Sequence, residues 1–203
     1  MNIIRATDRT TTPWKNGGGS TTEIAAEPAG ASLDTFDWRI SMAQIAVDGP
    51  FSEFLGIDRT LSVVKGIGLS LKIGDNAPVT LDRRSGAISF AGELATSAQL
   101  TSGEITDLNV MTRRQRFSHR VRRVWEPASH DFDGADIAVV LSLNEGMKVT
   151  TEKAAATLGP GDAAILLRPN DVRFRMVPRV SSVCYLVLLY KKPNLPYADR
   201  AKD

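Results

Sequence analysis

The sequence has one cysteine, two histidines and no long apolar run, and each of these shortages excludes a class of protein. Cys184 alone cannot form an internal disulfide or a thiolate metal cage, which favours a reducing compartment. The first nine residues contain charged side chains and lack the apolar core of a signal peptide. The apolar runs 137–143 and 183–190 fall well short of the ~20 residues that span a bilayer. We therefore expect a soluble, cytoplasmic protein with no membrane contact.

An excess of one charge sign is also lacking. Lys and Arg number 25 and Asp and Glu number 23, so the net charge is +2 and no global field recruits nucleic acid. The local exception is the run 113–123, which holds six arginines. Acidic residues flank this run and no helix-turn-helix pattern surrounds it. We interpret it as a solvated connection between two halves of the chain, and we expect no nucleic-acid partner.

The hydrophobic pattern repeats every second residue, and no convincing helical stripe is present. Residues 69–73 and 172–176 alternate apolar and polar side chains, which is typical of half-buried strands. Glycine- and proline-rich turns separate many such segments. Continuous apolar runs predict strands that are covered on both faces, at 138–143, 163–167 and 183–190. Short strands with this punctuation predict an all-β sandwich or barrel.

A weak internal repeat divides this pattern in two. A strand, a tight turn, a second strand, a leucine, a glycine and a third strand run from Val63 to Phe90, and the same order recurs from Val139. The turn at residues 158–163 resembles the turn of cupin domains, which are small jelly-roll barrels. We therefore predict a bicupin, with a pocket-bearing barrel at 1–112 and a second barrel with an extended tail at 113–203.

Three polar stretches could bind a small anion. The glycine-rich residues 13–19 could turn their N–H groups around an anion, with Lys15 adding charge, or could simply form a hairpin. On a strand, Arg39 and Ser41 share one face, which could be a pocket wall or a solvated surface. Asn109, Met111 and Arg113 also share a face, and that set suits a small carboxylate because arginine grips carboxylates through paired hydrogen bonds. An edge strand with one polar face is the alternative.

Taken together, these stretches resemble the HutD/Ves family of bacterial proteins. The resemblance rests on residues 13–19, 38–41, 48–59 and 109–113, and it covers most of residues 10–115. It implies a bicupin fold and, for HutD members, a cytoplasmic role in regulating histidine utilisation through binding of a small pathway acid. Ves members are linked instead to stress or cold response. Gln115 stands where the family often has a glycine. The family's shared polar residues correspond in this chain to Lys15, Asn16, Arg39, Ser41, Ser52, Arg59, Asn109 and Arg113.

The histidine count limits the chemistry. Metal-dependent cupins use a His-x-His pair, a carboxylate and a third histidine, whereas this chain has only His119 and His130. We interpret both as surface histidines and expect no metal and no cofactor. Cys184 lies in an apolar run, where a cysteine behaves as a small buried hydrophobe. A cofactor-free isomerase needs only a base, an acid and an anion clamp, but no residue stands out as the base.

The sequence therefore predicts a metal-free protein that binds a small carboxylate, such as formylglutamate or urocanate, and regulates histidine utilisation. Two alternatives are a cofactor-free isomerase or epimerase of a small sugar or keto-acid, and a nucleic-acid-binding regulator. Exposed sheet edges also favour a homodimer. The predicted ligand-binding residues are Lys15, Asn16, Arg39, Ser52, Arg59, Asn109, Met111 and Arg113, with Phe51 or Trp14 covering the apolar part of the ligand.

Overall fold

The computed structural model describes residues 1–168, 170, 172–179 and 182–193, and this part of the chain is built from strands and turns. Its only helical segment is a short 3-10 turn at Ala6–Asp8. Among the described residues, no helix has the length and apolar character needed to cross a membrane. The end of the predicted tail, residues 194–203, lies outside the described residues.

The described ranges contain nineteen strands, numbered in chain order. The first eleven are β1 (Asn2–Ile4), β2 (Thr11–Pro13), β3 (Gly19–Glu27), β4 (Trp38–Ile45), β5 (Gly49–Pro50), β6 (Ile57–Lys65), β7 (Leu69–Ile73), β8 (Val79–Leu81), β9 (Ile88–Ala91), β10 (Thr96–Leu100) and β11 (Ile105–Arg113). The others are β12 (Phe117–Val124), β13 (Ala128–Asp131), β14 (Ile137–Ser142), β15 (Met147–Thr151), β16 (Ala155–Leu158), β17 (Ala163–Leu167), β18 (Arg173–Val177) and β19 (Cys184–Lys191).

These strands form two sheets in each half of the chain, and the two halves share one topology. The first half contains a six-stranded sheet, β2-β3-β4-β11-β6-β9, and a four-stranded sheet, β5-β10-β7-β8. The second half contains a five-stranded sheet, β1-β17-β14-β19-β12, and a four-stranded sheet, β13-β18-β15-β16. The order β4-β11-β6-β9 therefore matches β12-β19-β14-β17. The repeat seen in the sequence occupies β6 to β9 and β14 to β17.

The halves pack through their larger sheets, so that the molecule has four layers. Trp38 and Leu108 of the six-stranded sheet pack against Leu141 and Val187 of the five-stranded sheet. Each half also has its own core between its two sheets. The six-stranded sheet is therefore covered on both faces, and its alternating side chains point either to the other half or into the first half.

Strand β1 connects the chain's start to the second half. It pairs with β17, with Asn2 opposite Ile165. Behind it, Arg5 Nη1 donates to Asp162 Oδ2 at 2.6 Å and the Ala6 N–H donates to Asp162 Oδ1 at 2.8 Å. The division of the chain into residues 1–112 and 113–203 stays an interpretation, and within it β1 belongs to the sheet of the second half.

The arginine-rich run is not a solvated connection along most of its length. Its residues from Phe117 onward form β12, an eight-residue edge strand that pairs with β19. The arginines alternate with partly buried Val121, and Arg120 and Arg122 both bond Asp133 Oδ2, at 2.9 and 2.8 Å. The interpretation was wrong because the density of charge concealed a strand with one polar face.

We expect the bond between Tyr185 Oη and Ser62 Oγ, which is 2.9 Å long and buried between the halves, to stabilise their packing. Tyr185→Phe leaves the serine hydroxyl unpartnered and should cost about 1–3 kcal/mol of unfolding free energy. The double variant Ser62→Ala/Tyr185→Phe leaves neither group unpaired and should cost less than the sum of the single variants. Urea denaturation of the four proteins measures both values, and additive costs would contradict the assignment.

Candidate functional site

Alternation along the six-stranded sheet directs a group of polar side chains into the first half. Arg39 on β4 is paired with Met111 on β11, which is paired with Arg59 on β6. Ser41 is paired with Asn109 in the same way. Directly opposed residues point to the same face of an antiparallel sheet. Four residues of the predicted site, Arg39, Arg59, Asn109 and Met111, therefore share the inner face, together with Ser41.

Arg59 is the central cation of this face. Only 4% of its surface is exposed, and its guanidinium carbon lies 5.3, 5.6 and 5.3 Å from the ring centroids of Phe51, Phe54 and Phe90. Nη1 donates to the Ser52 carbonyl at 3.2 Å, whereas Nε is buried with no hydrogen-bond partner. Burial lowers the pKa of Arg59 to about 10, so the group stays charged at neutral pH and keeps one donor free.

Asp107 is a buried acid of the same inner face, and sequence reasoning missed it. It is 1% exposed and its Oδ1 has no hydrogen-bond partner. Burial raises the pKa of Asp107 to about 7, against the opposing influence of the Arg59 charge and the Ala43 backbone N–H. The signal was available in the sequence, because Asp107 precedes Asn109 by two positions and so extends the same strand face.

Asn109 completes a set of unsatisfied polar atoms. It is 8% exposed and its Oδ1 is buried without a partner, as are Arg59 Nε and Asp107 Oδ1. Buried polar atoms without partners are rare in native proteins, and each needs an explanation. Three such atoms on one inner face mark a place that suits a polar ligand. We call Arg39, Ser41, Arg59, Asp107 and Asn109 the inner polar cluster.

The inner polar cluster reaches solvent through an ion pair at its edge. Arg39 Nε donates to Glu23 Oε2 at 2.7 Å, and Arg39 Nη1 donates to Ser41 Oγ at 3.2 Å. The Glu23 side chain is 39% exposed and the Arg39 side chain is 13% exposed. Glu23 on β3 was not predicted, since its position opposite Ser41 depends on strand pairing that the sequence does not show.

The glycine-rich turn lies apart from the inner polar cluster. Lys15 and Asn16 are exposed, and Asn16 Oδ1 accepts a hydrogen bond from the Gly18 N–H at 3.0 Å. A Cβ on Gly19 would overlap the Gln44 carbonyl oxygen, so glycine is required where β3 approaches β4. The glycine-rich turn forms a hairpin that joins β2 to β3, which is the second of the two structures that the sequence allowed. A ligand contact by Lys15 or Asn16 stays a prediction.

Two other predicted residues, Ser52 and Arg113, take part in hydrogen bonds that involve backbone carbonyls. Ser52 is exposed, and its carbonyl accepts a hydrogen bond from Arg59. Arg113 donates from Nε to the Phe36 carbonyl at 3.1 Å and from Nη2 to the Asp34 carbonyl at 2.8 Å. Arg113 thus holds the loop that precedes β4. Met111 packs against Phe36 of that loop, so it closes one end of the inner face.

The two histidines are partly buried rather than free on the surface, so the expectation of ordinary surface histidines was wrong. His119 lies between the Thr60 and Thr112 hydroxyls, at 2.7 and 2.8 Å, and burial lowers its pKa to about 4. His130 stacks on Phe174 with ring centroids 5.6 Å apart. In the described ranges, no three His, Cys, Asp or Glu side chains are grouped in a way that could hold a metal ion.

Cys184 behaves as predicted from its apolar surroundings. It is a buried free cysteine, and its Sγ lies 3.1 Å from the Val124 carbonyl oxygen. Burial raises the pKa of the thiol to about 12. A thiol with that pKa is protonated at neutral pH and has little nucleophilic character.

Two jelly-roll-like halves of the same topology in one chain define a bicupin. The fold is shared with a cupin 2 conserved barrel domain protein from Leptotrichia buccalis, at a TM-score of 0.54 and 12% identity over 94% of this chain and 96% of that protein. The all-β bicupin prediction is confirmed. At the level of sequence, the family model described as HutD matches residues 6–184. The chain belongs to the HutD family.

Three relatives agree with this assignment. An uncharacterized 21.2 kDa protein in the hutC 3′ region of Pseudomonas putida is 34% identical over 151 residues, which are 74% of this chain and 77% of that protein. Protein Ves of Citrobacter koseri is 41% identical over 110 residues, only 54% of this chain and 56% of that protein. The structure of HutD from Pseudomonas fluorescens SBW25 has a TM-score of 0.82 at 29% identity, covering 95% of this chain and 99% of the other.

We expect Asp107 and His119 to have opposite effects on the pH dependence of stability. Asp107 has a pKa raised from 3.8 to about 7, so its contribution to the free energy of unfolding is lost as pH rises from 3.8 to about 7. His119 has a pKa lowered from 6.5 to about 4, so its contribution to the free energy of unfolding is lost as pH falls from 6.5 to about 4. Each proton corresponds to about 1.4 kcal/mol per pH unit, and between about pH 4.5 and 6.5 the two effects should largely cancel.

The single variants separate the two effects. Relative to the wild type, Asp107→Asn should gain stability with rising pH across that interval, and His119→Gln should lose it. Urea denaturation at about pH 4.5, 5.5 and 6.5 measures the slopes. The same slope in all three proteins would contradict the burial of both groups.

Proposed function

We propose that this protein binds a small carboxylate in the inner polar cluster, without a metal, and that it serves as a regulator associated with histidine utilisation. Membership of the HutD family and the relative from the hutC 3′ region support the association. The binding proposal depends on one observation above all. Arg59 is a buried, charged guanidinium with a free donor, on the same sheet face as an asparagine and an acid that each present an unpartnered oxygen.

The chemistry of these groups suits a carboxylate. Arg59 supplies charge and a free N–H, and charge-assisted hydrogen bonds to carboxylates are among the strongest in proteins. The amide of Asn109 can orient the ligand by donating from its nitrogen. Phe51, Phe54 and Phe90 surround the cation and exclude water, which strengthens an ion pair formed there. A small acid would enter past the exposed Glu23–Arg39 pair.

Binding of a carboxylate should require a proton. Arg59 and Asp107 influence each other electrostatically across the buried inner face, so a ligand anion beside Arg59 also opposes the ionisation of Asp107. Asp107 is the group that accepts the proton, because burial already raises its pKa to about 7. The protonated acid can then donate a hydrogen bond to the ligand. Above a pH of about 7, binding should therefore be accompanied by proton uptake.

The ligand is proposed to be a small acid. The P. fluorescens HutD structure was solved in a formate condition, and formate is the smallest carboxylate. Formylglutamate and urocanate share that group and belong to histidine breakdown, so they are the first acids to test. Regulation would follow if the occupied and free states differ in a surface that a partner contacts, and the ligand's differential affinity limits that effect.

We expect formylglutamate, urocanate or formate to raise the melting temperature of the wild type. At a hundred times its dissociation constant, a ligand adds about 2.7 kcal/mol of stability. The double variant Arg59→Met/Asp107→Asn removes both buried charges together and should abolish the shift. Lys72→Ala, which changes an exposed lysine of β7, is the control and should keep it. Equal shifts in all three proteins would contradict the site.

A cofactor-free isomerase or epimerase is the second candidate, and Asp107 is the observation that favours it. A buried acid with a pKa of about 7 suits general acid–base catalysis. Incubation with a panel of small sugars and keto-acids in deuterated water should then give deuterium incorporation by NMR, lost in Asp107→Asn. A panel without wild-type incorporation removes this candidate and leaves the binding proposal unaffected.

A further inference from the structure

A second recess lies between the two halves, away from the inner polar cluster. It is a cleft of about 830 Å³ whose walls include the turn after β6 and Arg83 from the first half, and Leu143 and Tyr185 from the second half. Small-molecule sites commonly measure about 300–1,000 Å³. No residue of the inner polar cluster lines this cleft. We call it the junction cleft.

The rim of the junction cleft is strongly cationic. Lys65, Arg83, Arg84 and Arg123 line it, and Asp82 is the single acid among its lining residues. Asp82 Oδ1 already accepts hydrogen bonds from the Arg84 and Ser85 N–H groups, at 2.7 and 2.8 Å, and these bonds hold the pKa of Asp82 below its usual value. The Asp82 carboxylate is thus occupied by hydrogen bonds within its own turn. A chain whose net charge is only +2 concentrates four cations at this rim.

These cations are not neutralised by acids elsewhere. Across the described residues, no salt bridge involves any of the four rim side chains. Arg120 and Arg122, which lie on the same strand as Arg123, instead share Asp133. Cations that face a recess without counter-charges attract anions, because low-dielectric walls focus their field.

Arg123 is held in place by both halves of the chain. It lies on β12, and its Nη1 donates to the Arg83 carbonyl across the junction. Its guanidinium carbon is 6.0 Å from the Trp125 ring centroid, and its Nε is buried without a partner. A side chain fixed in this way loses little conformational entropy when a ligand binds. Arg123 is therefore a preorganised cation at the base of the rim.

Apolar side chains also line the junction cleft. Met42, Val64, Leu143 and Val183 line it together with Tyr185. The Tyr185 hydroxyl is already bonded to Ser62, which leaves its ring as the surface that a ligand would meet. A recess lined by both cations and aliphatic and aromatic groups fits a molecule that has an anionic group and an apolar body.

We propose that the junction cleft is a second ligand site, for an organic anion with an apolar body. The acidic group lies against Arg83, Arg84 and Arg123, and the apolar body packs against the Tyr185 side. This chemistry differs from that of the inner polar cluster, where the cation is buried and the ligand is a small carboxylate. Because both halves supply residues, an occupant of the junction cleft stabilises their packing.

The test uses 8-anilinonaphthalene-1-sulfonate, an aromatic sulfonate whose fluorescence rises in apolar surroundings. It should bind the wild type saturably with one site per chain. Arg83→Glu/Arg84→Glu reverses two exposed rim charges and should weaken binding about tenfold or more. Lys148→Glu/Lys153→Glu makes the same charge change at exposed lysines outside the cleft and should leave affinity within about twofold, since distant charges are screened.

A neutral dye separates charge recognition from simple apolar binding. N-phenyl-1-naphthylamine should bind more weakly than the sulfonate and respond equally little to both double variants. The proposal is overturned by the absence of saturable sulfonate binding in the wild type, or by equal loss of affinity in the two double variants. Near-UV circular dichroism of each variant verifies that the folded state is intact. The result is independent of carboxylate binding in the inner polar cluster.

Discussion

The burial of Arg59 together with Asp107 is the constraint around which the first half is built. A charge in such an interior is expensive, and it is tolerated only when its surroundings compensate for the water that it loses. Three phenylalanine rings and the Ser52 carbonyl supply part of that compensation. The free Arg59 donor and the unpartnered Asp107 oxygen show that compensation is incomplete. Incompletely satisfied buried ionisable groups are poor stabilisers and suitable binding elements.

The six-stranded sheet connects this pair to the rest of the molecule. Along β6, Arg59 and Leu61 point into the first half, while Thr60 and Ser62 contact His119 and Tyr185 of the other half. The same strand therefore carries the proposed binding face and the packing face between the halves. Any movement of β6 upon binding would reach the junction through alternate residues of one strand, which is a route by which occupancy could change a surface.

The features that could be predicted from the sequence are those that are set by residues close together in the chain. Alternation and turn residues indicated the all-β class, and the repeated order of β6 to β9 indicated the bicupin, because both depend on neighbouring positions. The same alternation placed Arg39, Asn109 and Met111 on inner strand faces. It failed for Glu23 and Asp107. Glu23 becomes relevant only through the register of β3 with β4, and Asp107 was overlooked although it lies on an identified face.

The high density of arginines in residues 113–123 was also misleading, because the partners of these arginines are not their neighbours in the chain. Arg120 and Arg122 of β12 form ion pairs with Asp133, which lies later in the chain. Arg113 instead donates to the Phe36 and Asp34 carbonyls and so holds the loop before β4. Residue type alone does not show whether an arginine binds a ligand, a neighbouring acid or the backbone. Pairing of strands and layers decides which groups remain without partners, and those groups define both proposed sites.

Calorimetric titration with formylglutamate at about pH 8, in buffers of different ionisation enthalpy, tests the central claim most directly. If a carboxylate binds beside Arg59 and Asp107, the wild type takes up close to one proton per ligand, and Asp107→Asn binds without proton uptake. Binding with no proton uptake by the wild type, or the same uptake by Asp107→Asn, would contradict the account.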